Sequence, residues 1–351
     1  MTVGIPEIAT QVVRWQKEHG RNHLPWQNTR DAYRVWLSEI MLQQTQVTTV
    51  LDYYARFLAR FPDVRALAAA PQDDVLALWS GLGYYSRARN LHRCAQQVVS
   101  EFGGEFPHTV ELLSTLPGIG RSTAGAIASF CFGQRSAILD ANVRRVLTRV
   151  LGFGEDLAVA SNERKLWVLA DQLLPVDDLP TNMPRYTQGM MDLGSGICTP
   201  KSPACMLCPL ESVCAAHKEG DPTKYPVRTR KVKRSAHSWW LLLERDTAGR
   251  LWLERRPQTG IWAGLYCPPV FEERESLEQV LTADSQADDL AVVTHVLTHR
   301  DLYLHPVVAR MTAAQAKRRE ADAPEGAGFF APSEWGALGL PAPIRKLLAT
   351  L

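Results

Sequence analysis

Apolar residues recur at helical spacing through most of residues 1–225. Ile8, Val12 and Trp15 mark one face of an amphipathic helix that ends at Gly20. Beyond a Leu24-Pro25-Trp26 loop, Tyr33, Trp36, Leu37, Ile40 and Met41 predict a second helix running to about Leu51. Glu39 and Gln43 lie one turn apart, off the centre of that stripe, where a solvated polar flank and a functional face both fit them. Helical spacing returns over residues 53–61, 75–79 and 88–102, broken by Pro62, Pro71 and the Gly81-Leu82-Gly83-Tyr84-Tyr85 turn.

The stretch Leu116-Pro117-Gly118-Ile119-Gly120-Arg121-Ser122-Thr123 predicts a tight turn opening into a small-residue helix, with Gly118 and Gly120 supplying positive φ. Bare amide groups at such a helix start make a seat for a phosphate, although an ordinary joint between two helices fits the same residues. Asp140 directly precedes Val143, Val146, Leu147, Val150 and Leu151, the spacing of a buried helical face. As an N-cap it would contribute about 1 kcal/mol, which by itself accounts for the residue. A chemical role requires a second carboxylate across a cleft, and Glu39 is the candidate.

After residue 226 the period changes. Residues 238–244 and 250–256 read as strands joined by Asp246-Thr247-Ala248-Gly249, with further strands over 290–297 and 302–311 and a closing helix at 344–351. The expected architecture is multidomain: an all-α region over residues 1–225, a basic linker over 226–237 and an α+β domain over 238–351. The linker, with Arg228, Arg230, Lys231, Lys233 and Arg234 and no acidic residue, fits a segment crossing a DNA backbone or a solvated connector.

Composition narrows this. The 351 residues are 46% hydrophobic with net charge +2, enough for two cored domains and too little charge for a protein that is basic all over. No apolar run near the start suits a signal peptide or a membrane span, so a cytoplasmic protein is expected. Cys94, Cys131 and Cys267 are scattered in apolar surroundings, as core residues are. Cys198, Cys205, Cys208 and Cys214 follow one another at gaps of six, two and five residues among Pro and Ser, a metal-binding pattern. Three close ligands and one further back suit a [4Fe–4S] cluster better than the paired knuckles of zinc.

Taken together, Leu37-Ser38-Glu39-Ile40-Met41-Leu42-Gln43-Gln44-Thr45, Gly81-Leu82-Gly83-Tyr84-Tyr85, the Leu116 turn, Met191-Asp192-Leu193-Gly194 and the four cysteines closely resemble the adenine DNA glycosylases of the MutY family, within the helix-hairpin-helix glycosylase superfamily. The resemblance covers nearly the whole chain. It implies a two-lobed helical catalytic region, a [4Fe–4S] cluster, and a C-terminal MutT-like domain of the Nudix type that senses 8-oxoguanine. The implied substrate is adenine mispaired with 8-oxoguanine or guanine in double-stranded DNA, and the implied partner is that DNA, with no membrane and a monomeric, nucleoid-associated bacterial protein. By resemblance Glu39 is the acid and Asp140 the anion. Gln43 and Tyr84 fill the gap left by the flipped base, Gly118 and Gly120 grip the backbone, and Gln188 reads the adenine edge.

Ser122 stands where strand-nicking relatives carry a Schiff-base Lys, which implies a monofunctional enzyme with Ser122 near the sugar. Glu272-Glu273-Arg274-Glu275 does not fit the magnesium-binding helix of a Nudix hydrolase, so recognition without hydrolysis is expected. Thr298 and His299 match a loop that reads Phe-Ser-His in relatives; Leu297 removes its aromatic, and Ala141 replaces a usual Gly. Two rivals are an endonuclease III-like enzyme for oxidised pyrimidines, opposed by Ser122 and the C-terminal domain, and an idle iron–sulfur DNA-binding protein, opposed by the presence of both Glu39 and Asp140.

Overall fold

A computed structural model describes residues 5–229, 234–281 and 286–351. The chain forms two compact units, Met1–Ala68 with Arg93–Lys231, and Ala69–His92 with Val232–Leu351. In chain order the helices are α1 (Ile5–His19), α2 (Ala32–Leu42), α3 (Val47–Arg60), α4 (Val64–Ala69), α5 (Gln72–Trp79), α6 (Ser86–Phe102), α7 (Val110–Leu113), α8 (Arg121–Phe132), α9 (Ala141–Leu151), α10 (Ala160–Gln172), α11 (Leu179–Asp192) and α12 (Ala215–Lys218). Among the described residues no helix is long and apolar enough to cross a membrane.

In the first unit the single helix expected from Tyr33 to about Leu51 is two. Helix α2 ends at Leu42, Gln44 takes φ 57°, and α3 restarts at Val47. Gln43-Gln44-Thr45-Gln46 offers no apolar side chain to hold another helical turn against the core. Asp31 fixes the start of α2 by accepting from the backbone N–H of Tyr33 and Arg34. The main core gathers Val12 of α1, Val143, Val146 and Leu147 of α9, Leu166 of α10, and Met183, Tyr186 and Met190 of α11. Each such fully buried aliphatic side chain contributes about 1.5–3 kcal/mol.

The turn before α8 differs from expectation in one respect. Gly118 has φ 79°, a conformation that favours glycine, whereas Gly120 is extended at φ −84°, ψ 169° and serves as the N-cap of α8. Gly120 therefore supplies openness and no left-handed turn: nothing lies within 4 Å of where its Cβ would be.

The second unit adds β1 (Ser235–Arg245), β2 (Leu251–Arg255), β3 (Tyr266–Cys267), β4 (Val270–Phe271), α13 (Arg274–Glu278), β5 (Ala287–Asp289), β6 (Val293–Val296), β7 (Arg300–Arg310), α14 (Ala313–Ala321), β8 (Gly328–Phe330) and α15 (Ala342–Leu348). Strand order along the sheet is β3-β2-β1-β7-β5, with β1 and β7 parallel over their full lengths, Ser235 opposite Arg300 through Arg245 opposite Arg310. Antiparallel β6 and β7 form a hairpin, Val296 opposite Asp301, so Thr298 and His299 sit on its exposed tip.

Residues 69–92, helical and expected with the catalytic region, group with this sheet domain. The carbonyl of Leu340 accepts from the hydroxyls of both Ser80 (2.6 Å) and Tyr85 (3.1 Å), and Arg89 donates to the carbonyl of Ala263 (2.8 Å). Of the basic run at 226–237, residues 230–233, with Arg230, Lys231 and Lys233, lie outside the described residues.

Candidate active site

Helix α2 buries Val35, Trp36, Leu37, Ile40 and Met41, and that seating turns Ser38 and Glu39 toward a cavity of about 460 Å³. Trp26, Val35, Phe130, Pro184 and Gln188 also line it, together with Arg21 and Arg185. Among the described residues no hydrogen bond reaches the Glu39 carboxyl. Enclosure by protein, with repulsion from Asp140 adding to it, pushes the Glu39 carboxyl up to about 8. At neutral pH such a group keeps its proton.

Asp140 is the N-cap of α9. Its Oδ1 accepts from the backbone N–H of Asn142 and Val143, each at 2.8 Å, while no hydrogen bond among the described residues reaches Oδ2. Burial raises its pKa, opposed by those two donors and by the nearby Arg145 and Arg144. The donors and the positive helix end favour the anion, and Glu39 has no such support, so the shared negative charge belongs on Asp140. One oxygen makes the cap, and among the described residues the other carries no hydrogen bond.

Two close approaches hold this arrangement. A Cβ at Gly125 would stand 2.4 Å from the carbonyl oxygen of Ala137, so only glycine lets α8 lie against the segment that delivers Asp140. A Cβ at Gly194 would stand 2.5 Å from the Cβ of Asn142, so the turn after α11 can pack on α9. The hydroxyl of Ser122 accepts from the backbone N–H of Leu139 (3.0 Å), which ties the start of α8 to the residue before Asp140. Gln43, at the end of α2, meets Thr123 of α8 at 3.5 Å. Glu39, Asp140, Ser122, Gln43, Gln188, Gly118 and Gly120 thus all belong to the first unit. Gln188 lines the cavity and donates from Nε2 to Oδ1 of Asp192 (2.7 Å).

Cys198, Cys205, Cys208 and Cys214 line one small apolar cavity with Val146, Val150 and Ile197. Among the described residues no three His, Cys, Asp or Glu side chains converge as ligands of a single ion. Burial pushes the Cys208 thiol up to about 12, so thiolates gathered here need positive charge. Arg149, 1% exposed, supplies part of it, donating to Sγ of Cys198 (3.2 Å) and to the carbonyls of Thr199 and Pro200. Arg145 donates to the carbonyls of Cys198 and Gly194 and to Oδ1 of Asn142, so α9 joins the cysteine loop to Asp140. Sequence reasoning passed over both arginines; the signal was there, two cations one turn apart on the apolar face of α9.

In the second unit Tyr84, 44% exposed and at φ 49°, shares a hydrogen bond of 3.0 Å with the hydroxyl of Thr298. His299 is exposed beside it and accepts, through its carbonyl, from the N–H of Ser235. The acidic stretch at 272–278 forms only a short helix, and Arg274 pairs with Glu278 and Asp289.

A glycine turn opening α8, a carboxyl of raised pKa lining a cavity and a second carboxyl capping α9 all lie within a stretch that matches a base excision repair class, the helix-hairpin-helix glycosylases. Residues 37–172 match the family described as HhH-GPD superfamily base excision DNA repair protein, and residues 239–350 match the NUDIX domain. Over 343 residues the chain is 34% identical to an adenine DNA glycosylase of Buchnera aphidicola subsp. Schizaphis graminum, covering 96% of each chain. The chain belongs to the adenine DNA glycosylase family. It is also 45% identical over 223 residues to the adenine DNA glycosylase of Mus musculus, across 61% of this chain and 42% of the mouse protein. Among solved structures, a thermostable thymine-DNA glycosylase superposes with a TM-score of 0.53 at 27% identity, over 60% of this chain and 95% of that one.

Proposed function

We propose that the protein is a monofunctional glycosylase that excises adenine opposite 8-oxoguanine or guanine in duplex DNA and leaves an abasic site. What supports this reading is that Glu39 lines a cavity with its carboxyl pushed up to about 8 by burial and by repulsion from Asp140. Adenine flipped from the stack enters the cavity, at a cost of a few kcal/mol for unstacking. Glu39 gives its proton to N7, the bond from C1′ to N9 breaks, and the electron pair leaves with the base. Asp140 stabilises the oxocarbenium ion or holds it as a transient ester, as in retaining glycosidases. Water then attacks C1′, and Glu39, now a carboxylate, takes its proton and is restored.

Ser122 has no amine and forms no Schiff base. Its bond to Leu139 makes it a positioning group for the Asp140 segment. Gln43, at the end of α2 beside Thr123, takes the space left by the flipped base. The open amides around Gly118 and Gly120 hold a phosphate. The bonded pair Tyr84 and Thr298, with His299, reads the base opposite; recognition without hydrolysis is supported by Glu272-Glu273-Arg274-Glu275, which departs from the magnesium-binding Nudix pattern. The four cysteines and Arg149 fit a [4Fe–4S] cluster in their donor chemistry and charge. Held by these four thiolates, a bound cluster would tie the cysteine loop to α9 beside Arg149.

The test is incubation with duplexes carrying adenine opposite 8-oxoguanine or guanine, with and without alkali and with borohydride. Strand cleavage is expected only after alkali, with no trapped adduct. Cleavage without alkali, or an amine adduct trapped by borohydride, overturns the monofunctional reading.

A further inference from the structure

Asp192 closes α11, is 5% exposed, and takes no part in the chemistry so far assigned. Its Oδ2 accepts from the backbone N–H of Arg21 (2.8 Å), and its Oδ1 accepts from Nε of Arg21 (2.6 Å) and Nε2 of Gln188 (2.7 Å). Nη2 of Arg21 also lies 2.6 Å from Oδ1, so the carboxylate has its counter-ion in place. An ionised carboxylate only accepts. If the Gln188 amide were turned over, its Oε1 would face Oδ1 at that same short distance, two acceptors with no proton between them. The pairing therefore decides the amide's orientation on chemical grounds, where atom labels alone would not. No donor among the described residues meets Oε1 of Gln188, a residue that lines the cavity.

We propose that Asp192, anchored by Arg21, is a positioning residue that holds Gln188 with its Oε1 offered to the cavity as an acceptor. The site thereby favours a purine with an amino group at C6 over one with a carbonyl there. An exocyclic amino group donates to Oε1. A carbonyl at C6 would set two acceptors against each other and leave both desolvated and unpaired. This rests on the adenine-specific reading of the cavity and adds the source of its choice among purines.

The experiment measures single-turnover excision of adenine, purine with hydrogen at C6, and hypoxanthine, each opposite guanine, by the full chain and by Asp192→Ala, Gln188→Ala and the double variant. Normalising each variant to the unsubstituted protein cancels the different leaving-group reactivities. The adenine-to-purine and adenine-to-hypoxanthine rate ratios are expected to fall about tenfold in each single variant, one hydrogen bond's worth, and no further in the double variant. An Asp192→Ala variant that slows all three bases equally overturns the proposal.

If Asp192→Ala does not fold, NMR of the unsubstituted protein labelled with ¹⁵N-glutamine decides the matter. One Gln188 side-chain proton protected from exchange supports the fixed amide, and two freely exchanging protons overturn it. Failure of the unsubstituted protein to release adenine from any duplex would instead sink the proposed function, and the NMR result would still decide the orientation.

Discussion

Replacing Glu39 by Gln keeps the side chain's size and removes one titrating group. A folded-state pKa near 8 against an ordinary 4.5 means that folding binds a proton. The resulting stability is fully present below about pH 4.5 and is lost as pH rises through about 8, at about 1.4 kcal/mol per pH unit. Across the whole window that amounts to about 5 kcal/mol, and water reaching the carboxyl through the cavity reduces it to about 2–5 kcal/mol. The Gln variant has no such loss. Urea unfolding followed by circular dichroism, for both proteins from pH 5 to pH 9, should show the variant gaining on the unsubstituted chain as pH rises and then levelling off. Asp140→Asn removes the repulsion and should move the plateau to lower pH. A stability difference that stays constant across this range would refute the view that Glu39 is protonated at neutral pH. By the same titration, adenine release should fall as pH rises through about 8.

Gly125→Ala should destabilise the first unit by about 1–3 kcal/mol and lower kcat more than it raises KM, because the methyl meets the backbone of Ala137 in the segment leading to Asp140; thermal melts and steady-state rates check this. Tyr84→Phe and Thr298→Ala should each reduce the preference for 8-oxoguanine over guanine opposite adenine about fivefold, with no further loss in the double variant, read from competition between the two duplexes. Cys208→Ser should lower iron and sulfide content per chain, measured by chemical analysis, and lower Tm, because the loop that Arg149 and Arg145 tie to α9 loses its clamp.

Much of the helical region was legible because its stripes are long: Trp36, Leu37, Ile40 and Met41, or Val143, Val146 and Leu147, can lie on one face only as helices. The break at Gln43 was harder. It depends on the lack of apolar anchors after Leu42 and on Gln44 tolerating a left-handed backbone, neither of which periodicity reports. Strands of two or three residues such as β3, β4 and β8 carry no alternation to detect, and α14 lacks a strong apolar stripe.

The candidate site was legible as residue types and not as a place. Glu39 and Asp140 are 101 positions apart, Arg21 and Asp192 are separated by 171, and Tyr84 and Thr298 by 214. Such pairings arise from packing, and one sequence holds no record of them. Asp140 is the instructive case. The capping role alone accounts for one of its oxygens, and only burial beside Glu39 distinguishes it from any other N-cap.

The most direct test of the central claim is single-turnover release of free adenine from a duplex carrying adenine opposite 8-oxoguanine, by the unsubstituted chain, Glu39→Gln and Asp140→Asn, with duplex binding measured in parallel. Both variants should bind the duplex and release adenine at least about a hundredfold more slowly. Release at the unsubstituted rate by either variant would contradict the assignment of one carboxyl as acid and the other as anion.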